Sequence, residues 1–206
     1  MRARFTTDEI ASAALRIVDE AGPGALSMRT LASTLGTGPM TMYNYVAGKE
    51  GLEELVVAAV AAGIEVPPTT GDWADDVYAT ASAMWRGVRA HPAAIPLVLT
   101  RRMTSATGFA TVDALVEALN RAGLSDADRL SAFHAVLGLV TGSAQAQLAG
   151  PFSGDASETA ARIGSAAGSA YPHVAALSKV AATVSVEDDF DRGLRMLIAG
   201  IAASAR

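Results

Sequence analysis

The sequence of 206 residues contains no cysteine, and this absence excludes three classes of site. Disulfide scaffolds, zinc sites built from thiolates and cysteine nucleophiles all require that residue. The longest uninterrupted apolar run, near Val56 to Ile64, is far shorter than the roughly 20 residues of a membrane-spanning helix. The first residues also lack the apolar segment of a signal peptide. We therefore expect a soluble, cytoplasmic protein.

Motifs typical of enzymes and metal sites are missing as well. The sequence has no HExxH zinc motif, no GxSxG nucleophile motif and no phosphate-binding Walker loop. None of the three histidines, at His91, His134 and His173, has a glutamate three residues before it, the spacing of carboxylate-bridged metal bundles. We expect no enzymatic activity, no cofactor and no metal.

The chain has little positive charge. Its net charge of −5 weighs against a protein that binds nucleic acid through bulk charge. Within residues 1–50, five basic and five acidic residues balance to zero. Phosphate contacts need cations at particular positions rather than a high total, so this balance leaves DNA binding open.

Apolar residues recur at helical rather than strand spacing along nearly the whole chain, which predicts an all-α protein. Thr6 to Glu9 fits a capping box at the start of the first helix, and Ser27 and Ser125 are further N-cap candidates. The sequence predicts helices near residues 6–21, 27–35, 38–45, 49–62, 72–90, 92–101, 104–122, 125–149, 156–181 (interrupted at 171–172) and 187–204.

Two short helices joined by a turn at Gly36 form the pattern of a helix-turn-helix, at about residues 27–46. Gly63 and Pro67-Pro68 mark the best domain boundary. We predict an N-terminal three-helix domain within residues 1–62, closed by the helix at 49–62, and a C-terminal helical bundle over residues 63–206.

The segment SMRTLASTLGTGPMTMYNYV at residues 27–46, followed by AGKEGLEELV, resembles the DNA-binding domain of the TetR family. Residues 171–177 and 190–201 are similar to the tetracycline-repressor type of C-terminal domain. The resemblance implies a homodimeric transcriptional repressor. Its C-terminal domain would dimerise and bind a small hydrophobic or amphipathic effector, which releases the protein from double-stranded operator DNA.

The resemblance also implies which residues contact DNA. Thr37, Pro39, Met40 and Asn44 would face base edges, where Met40 can touch a thymine methyl group and Asn44 can bind adenine or a phosphate. Tyr45 is open to a second interpretation, as a half-buried aromatic residue of a small bundle. The remaining candidates are phosphate contacts, namely Ser27, Arg29, Thr41, Tyr43 and Lys49.

Candidates for the effector site are amphipathic or aromatic side chains of the C-terminal domain, since ligand pockets are mostly apolar with a few placed polar groups. For any single one of them, ordinary core is the interpretation that composition favours. His134 and Gln145 stand out because polar groups beside apolar stripes need partners. The full set is Met84, Trp85, Met103, Phe109, Phe133, His134, Gln145 and Phe152.

Small residues along the helix at 125–149 indicate a dimer interface. Gly138 and Gly142 lie on one face, and each mid-helix glycine costs roughly 1 kcal/mol relative to alanine. Close approach of another helix would offset that cost, although close packing within one subunit is the alternative. The last helix adds an apolar stripe that the family pairs with its mate, consisting of Leu194, Leu197, Ile198 and Ile201.

A second function from a different class remains open at this point. A helical small-molecule-binding or enzymatic bundle that never binds DNA would also have an acidic chain and an N-terminal region without excess positive charge.

Overall fold

A computed structural model describes residues 5–101, 109–148 and 156–205 of the chain. Regular structure within these residues is helical, which confirms the all-α prediction. The helices are α1 (Thr7–Ala21), α2 (Met28–Thr34), α3 (Pro39–Met42), α4 (Gly48–Ala62), α5 (Trp73–Arg89), α6 (Ile95–Thr100), α7 (Phe109–Asn120), α8 (Asp126–Leu148), α9 (Ala156–Ala167), α10 (Pro172–Ala181) and α11 (Val186–Ser204), with 3-10 turns at Pro23–Ala25 and Pro92–Ala94.

The caps expected from the sequence are present. Thr6 accepts a hydrogen bond from the Glu9 amide at 3.2 Å, and the Glu9 carboxylate accepts one from the Thr6 amide at 2.7 Å, which completes the capping box. Ser27 caps α2 through the Thr30 amide at 3.1 Å. Ser125 accepts from the Asp128 amide at 3.2 Å at the start of α8. These side chains satisfy first-turn amides that have no partner within their own helix.

The first four helices share one apolar core, and we call residues 5–62 the head. Ile10 and Val18 of α1, Leu31 of α2, Met42 of α3 and Leu52 of α4 are almost completely buried there. The buried apolar positions of α1, and likewise those of α4, recur every three to four residues. Each of the two helices therefore buries one stripe of its surface.

The turn between α2 and α3 depends on Gly36, whose φ of +62° lies in the left-handed region. Glycine adopts that conformation without the steric cost that a Cβ brings. The α3 helix is shorter than the predicted 38–45. After Met42 the amides of Asn44 and Tyr45 donate to carbonyls three residues back, at 3.2 and 2.9 Å. This 3-10-like pattern replaces the α-helix over the last residues.

The remaining helices form what we call the body, residues 63–205. Helix α5 lies at its centre and packs against α7, α8 and α11, with Val77, Leu115, Val136 and Leu194 in the shared core. Helices α9 and α10 pack mainly against each other. The domain boundary between residues 62 and 63 stays a prediction.

Residues 63–72 connect α4 to α5, and we call them the linker. The linker is held by the carboxylate of Asp76, whose side chain is 6% exposed. The hydroxyl of Thr69 donates to it at 2.7 Å, and Thr70 donates through its amide and its hydroxyl at 2.7 and 2.8 Å. Arg121 of α7 donates at 2.7 Å. The Thr69 hydroxyl and then the Thr70 amide lower the pKa of Asp76 well below its ordinary value, although burial opposes this shift. One carboxylate therefore fastens the linker to α5 and α7.

We predict that Asp76→Asn lowers the melting temperature at neutral pH, because the amide loses the charge that four donors share. Because its pKa is lowered, the Asp76 carboxylate contributes its full stabilisation above the ordinary pKa of about 4. This stabilisation declines as the pH falls from there towards the lowered pKa. The difference between wild type and variant should therefore narrow between about pH 5 and pH 3. Thermal melts across this range, with the exposed Asp113→Asn as control, test this; a difference independent of pH would contradict it.

Candidate nucleic-acid interface and ligand-binding domain

Helix α3 presents an exposed face to solvent while one residue anchors it. Met40 and Tyr43 are 77% and 56% exposed, and Pro39 and Asn44 are exposed as well. Met42, on the opposite side, is completely buried in the head core. A four-residue helix is not stable alone, so this burial fixes the direction of the exposed side chains.

The other DNA-binding candidates of α2 and its turn lie beside this face with different degrees of exposure. Arg29 is exposed, whereas Thr37 and Thr41 are half-buried. Ser27 is half-buried, and its hydroxyl already contacts the Thr30 hydroxyl at 2.8 Å besides capping α2. Arg29 is therefore the cation on α2 that a phosphate could reach.

Tyr45 occupies a position that agrees with its second interpretation. It is half-buried against the head core, and its ring meets Phe5 edge-on at 6.2 Å between centroids. Its hydroxyl accepts a hydrogen bond from the Phe5 amide at 3.3 Å. The Tyr45 side chain therefore connects Phe5, just before α1, to the turn that follows α3.

Lys49 extends from the first turn of α4 and is 65% exposed. Its nearest acidic partner is Glu53, with Nζ and Oε1 3.8 Å apart. Residues 5–62 carry three basic residues, Arg16, Arg29 and Lys49, against seven acidic ones, which gives a net charge of −4. Within residues 5–62 the few cations are therefore placed individually, and these residues form no broad basic surface around α3.

Polar contacts of Arg101 and His91 join the body to the head, and sequence reasoning did not find them. Glu53 of α4 is buried and accepts from the guanidinium of Arg101, just after α6, at 2.6 Å. The ring of His91 contacts the carboxylate of Asp19 of α1 at 2.9 Å. Both pairs lie far apart in sequence, so no local pattern could have indicated them.

The described effector candidates differ in burial. Met84 and Trp85 are buried in α5, Phe133 is half-buried, and Phe109 is 45% exposed. His134 and Gln145 lie exposed on α8 rather than in the core. Met103 and Phe152 fall outside the described residues.

Trp85 lies at the junction of α5 and α11. Its ring stacks on Phe190 at 4.3 Å, and the guanidinium of Arg89 lies 4.4 Å from its centre. Arg89 in turn pairs with Glu187 at 2.8 Å. Within the described part of the chain, the buried Nε1 of Trp85 has no hydrogen-bond partner. It is a buried donor that still needs an acceptor.

The dimer candidates fall into two groups. Gly138 and Gly142 are exposed on α8, and a Cβ built on either one meets no other atom within 4 Å. They share the outer face of α8 with His134. On α11, Leu197 and Ile198 are half-buried, while the remaining two candidates, Leu194 and Ile201, are buried in the core of their own subunit. This position leaves those two little surface for a partner.

Among residues 5–101, 109–148 and 156–205, no group of three or more histidine, aspartate or glutamate side chains is arranged to hold a metal ion. No described helix is both long and apolar enough to cross a bilayer.

Comparison with known proteins adds three likenesses. Residues 67–205 match the family described as Tetracyclin repressor-like, C-terminal domain. An HTH-type transcriptional regulator of Saccharopolyspora erythraea is 33% identical over 209 residues, covering 98% of this chain and 86% of that protein. The HTH-type transcriptional repressor DrrR1 of Streptomyces coeruleorubidus is 32% identical over 146 residues, covering 70% of this chain and 54% of DrrR1.

The crystal structure of apo ActR from Streptomyces coelicolor has the same fold. It superimposes with a TM-score of 0.83 at 29% identity, covering 99% of this chain and 98% of ActR. ActR in complex with actinorhodin gives a TM-score of 0.84 at 28% identity, again covering 99% of this chain and 98% of ActR.

We predict that Arg101→Met destabilises the protein by about 1–3 kcal/mol, because it leaves the buried Glu53 carboxylate with Lys49 as its nearest cation. Urea denaturation measures this loss. The matched control is Arg129→Met, since Arg129 contacts Asp126 at the same 2.6 Å but that carboxylate is 94% exposed. An exposed pair of this kind is worth only about 0.5 kcal/mol. Equal losses in the two variants would contradict a structural role for the Arg101–Glu53 pair.

Proposed function

The chain belongs to the TetR family of transcriptional regulators, and we propose that it is a repressor released from its operator DNA by a small-molecule effector. The observation that carries the proposal is α3. This short helix and the turn after it expose Pro39, Met40, Tyr43 and Asn44, and the helix is anchored by the buried Met42. A helix held in this way can enter a major groove without losing its place in the fold.

The proposed base contacts come from the exposed end of α3. Met40 offers an apolar surface for a thymine methyl group, and Asn44 offers the paired donor and acceptor that adenine requires. Pro39 and Thr37 shape the approach to the bases. With so few polar groups on α3, specificity rests on a small number of base contacts and on the shape of the DNA.

The proposed phosphate contacts are individual side chains around α3. Tyr43 and Lys49 are the principal ones, with Arg29, Thr41 and Ser27 beside them. Each phosphate contact by a cation adds about one counterion to the salt dependence of binding. Because the head carries only three basic residues, the salt dependence should be shallow.

The effector is proposed to be a small hydrophobic or amphipathic molecule bound in the body. ActR, which has this fold, was solved with actinorhodin and with (S)-DNPA. In this chain the side chains proposed to contribute are the candidates named above, among which Trp85 carries a buried donor without a partner in the described part of the chain. An acceptor oxygen on the effector would satisfy it.

The repressor acts as a homodimer in this proposal, with Gly138 and Gly142 of α8 and the exposed parts of Leu197 and Ile198 at the interface. The two α3 helices would then lie about 34–36 Å apart, one turn of DNA. Effector binding favours a body conformation with a different separation of the heads, and so weakens DNA binding. Helix α4, which the Arg101–Glu53 pair ties to the body, transmits the change.

This function needs no enzymatic activity, and the cytoplasm, where the chromosome lies, is the place proposed for it. The second candidate is a helical ligand-binding or enzymatic bundle that does not bind DNA. The observation that favours it is the net charge of −4 over residues 5–62, because DNA-binding domains are ordinarily basic.

The two functions are separated by footprinting the folded protein on the DNA that flanks its own gene, at low salt. A protected near-palindromic site supports the repressor, and an effector that restores cleavage supports the release mechanism. A folded protein that protects no site would refute it and leave the bundle.

Variants of the α3 surface test the assigned roles in the same assay. Tyr43→Ala and Lys49→Ala should weaken binding to operator and random DNA alike, and Lys49→Ala should reduce the salt slope by about one. Met40→Ala and Asn44→Ala should change the preference among operator variants, by about 1–3 kcal/mol at the affected base pair. Equal, sequence-independent losses from all four would contradict these roles.

Gly142→Leu tests the dimer interface. A Cβ built at Gly142 meets no other atom within 4 Å, and the residue is exposed, so the variant should fold but shift towards monomer in sedimentation velocity. Ala110→Leu, an exposed substitution on α7, is the control. If both variants sediment like wild type, Gly142 is not in the interface.

A further inference from the structure

A groove of about 500 Å³ lies along α1 and α4 on the head and reaches the body at Gly63 and at His91, which follows α5. Its volume lies within the range of sites that hold drug-sized molecules. It is separate from α3 and from the effector candidates of the body. The residues that line it are Thr7, Asp8, Ala11, Ser12, Leu15, Arg16, Asp19, Leu55, Ala58, Ala59, Ala62, Gly63 and His91.

The groove is apolar along the α4 side. Leu55, Ala58, Ala59 and Ala62 recur every three to four residues, so one face of α4 forms the wall. Most of these side chains are alanines, which leave room between the two helices. A flat or elongated apolar body fits such a surface.

The charges lie on the α1 side and favour a cation. Two carboxylates, Asp8 and Asp19, line the groove with one guanidinium, Arg16. Asp19 is engaged by His91 at 2.9 Å. Among the described residues no basic side chain lies within ion-pair distance of Asp8 or acidic one of Arg16. Asp8 is therefore the carboxylate available to a positively charged group.

We propose that this groove is a second small-molecule site, which takes amphipathic cations. The apolar part of the ligand lies along Ala58 and Ala59, and its ammonium group pairs with Asp8. The site goes beyond the proposed effector site in the body and does not depend on DNA binding, since the groove exists in the folded chain alone.

The position of the groove gives the site a role. A ligand in it contacts α1, α4 and His91 at once, and so touches both the head and the residue of the body that pairs with Asp19. Such a ligand binds most tightly to the head orientation that keeps these three elements together. The groove can therefore bias the same movement as the effector, from a site on the head.

The test uses two dyes with one fluorophore and opposite charge, dansylcadaverine as the cation and dansylglycine as the anion, with the full chain and no DNA. We expect a saturable rise in fluorescence for dansylcadaverine and weaker binding of dansylglycine. Asp8→Asn should weaken dansylcadaverine by about two- to fivefold, the effect of an exposed ion pair. Ala59→Trp should abolish binding by filling the groove, and Asp113→Asn on α7 should change nothing.

Asp8→Lys keeps the proposal testable if Ala59→Trp does not fold, because Asp8 is exposed. This variant should reverse the preference of the groove towards dansylglycine. Absence of saturable binding, equal affinity for both dyes, or binding that neither Asp8→Asn nor Asp8→Lys changes would overturn the proposal. None of these outcomes bears on operator binding, so the test is independent of the repressor function.

Discussion

The exposed surface of α3 and of the turn after it depends on the burial of Met42 in the core that α1, α2 and α4 build. Helix α3 has four residues, and a helix of that length cannot be stable by its own hydrogen bonds. The side chains that could meet DNA hold their direction because one side of the same turn is fixed in an apolar core. Disruption of that core would disorder the surface even if every exposed residue were kept.

The head and body share apolar contacts, since Val56 and Val60 of α4 belong to the same buried cluster as Ile95 and Leu115, and charged pairs add to these contacts. Glu53 with Arg101 and Asp19 with His91 connect helices of the head to segments of the body, and Asp76 fastens the linker between them. Charged pairs of this kind require specific geometry, and so they distinguish one orientation of the head from another better than an apolar contact does. A regulator that changes the separation of its heads needs such a junction, in which a small shift in one domain is felt in the other.

Much of the fold could be predicted because its signals are local. The capping box at Thr6, the caps at Ser27 and Ser125 and the glycine turn at Gly36 each depend on residues only a few positions apart. Prediction was less accurate where distant residues decide. Helix α3 ends earlier than predicted. His134 and Gln145 lie on an exposed face of α8, which was not predicted because helical spacing alone does not say which side of a helix meets the core.

The sequence by itself determined the helical class, the position of the helix-turn-helix and the family, since all three follow from periodicity, caps and a contiguous segment at residues 27–46. Only the tertiary structure decided that Tyr45 bonds the Phe5 amide, that Glu53 is buried against Arg101, and that α1 and α4 enclose a groove beside His91. The hydrogen-bonded pairs among them, with that of His91 and Asp19, join residues 40 to 72 positions apart. Contacts over such distances are set by the packing of whole helices, and no local pattern in the sequence records them.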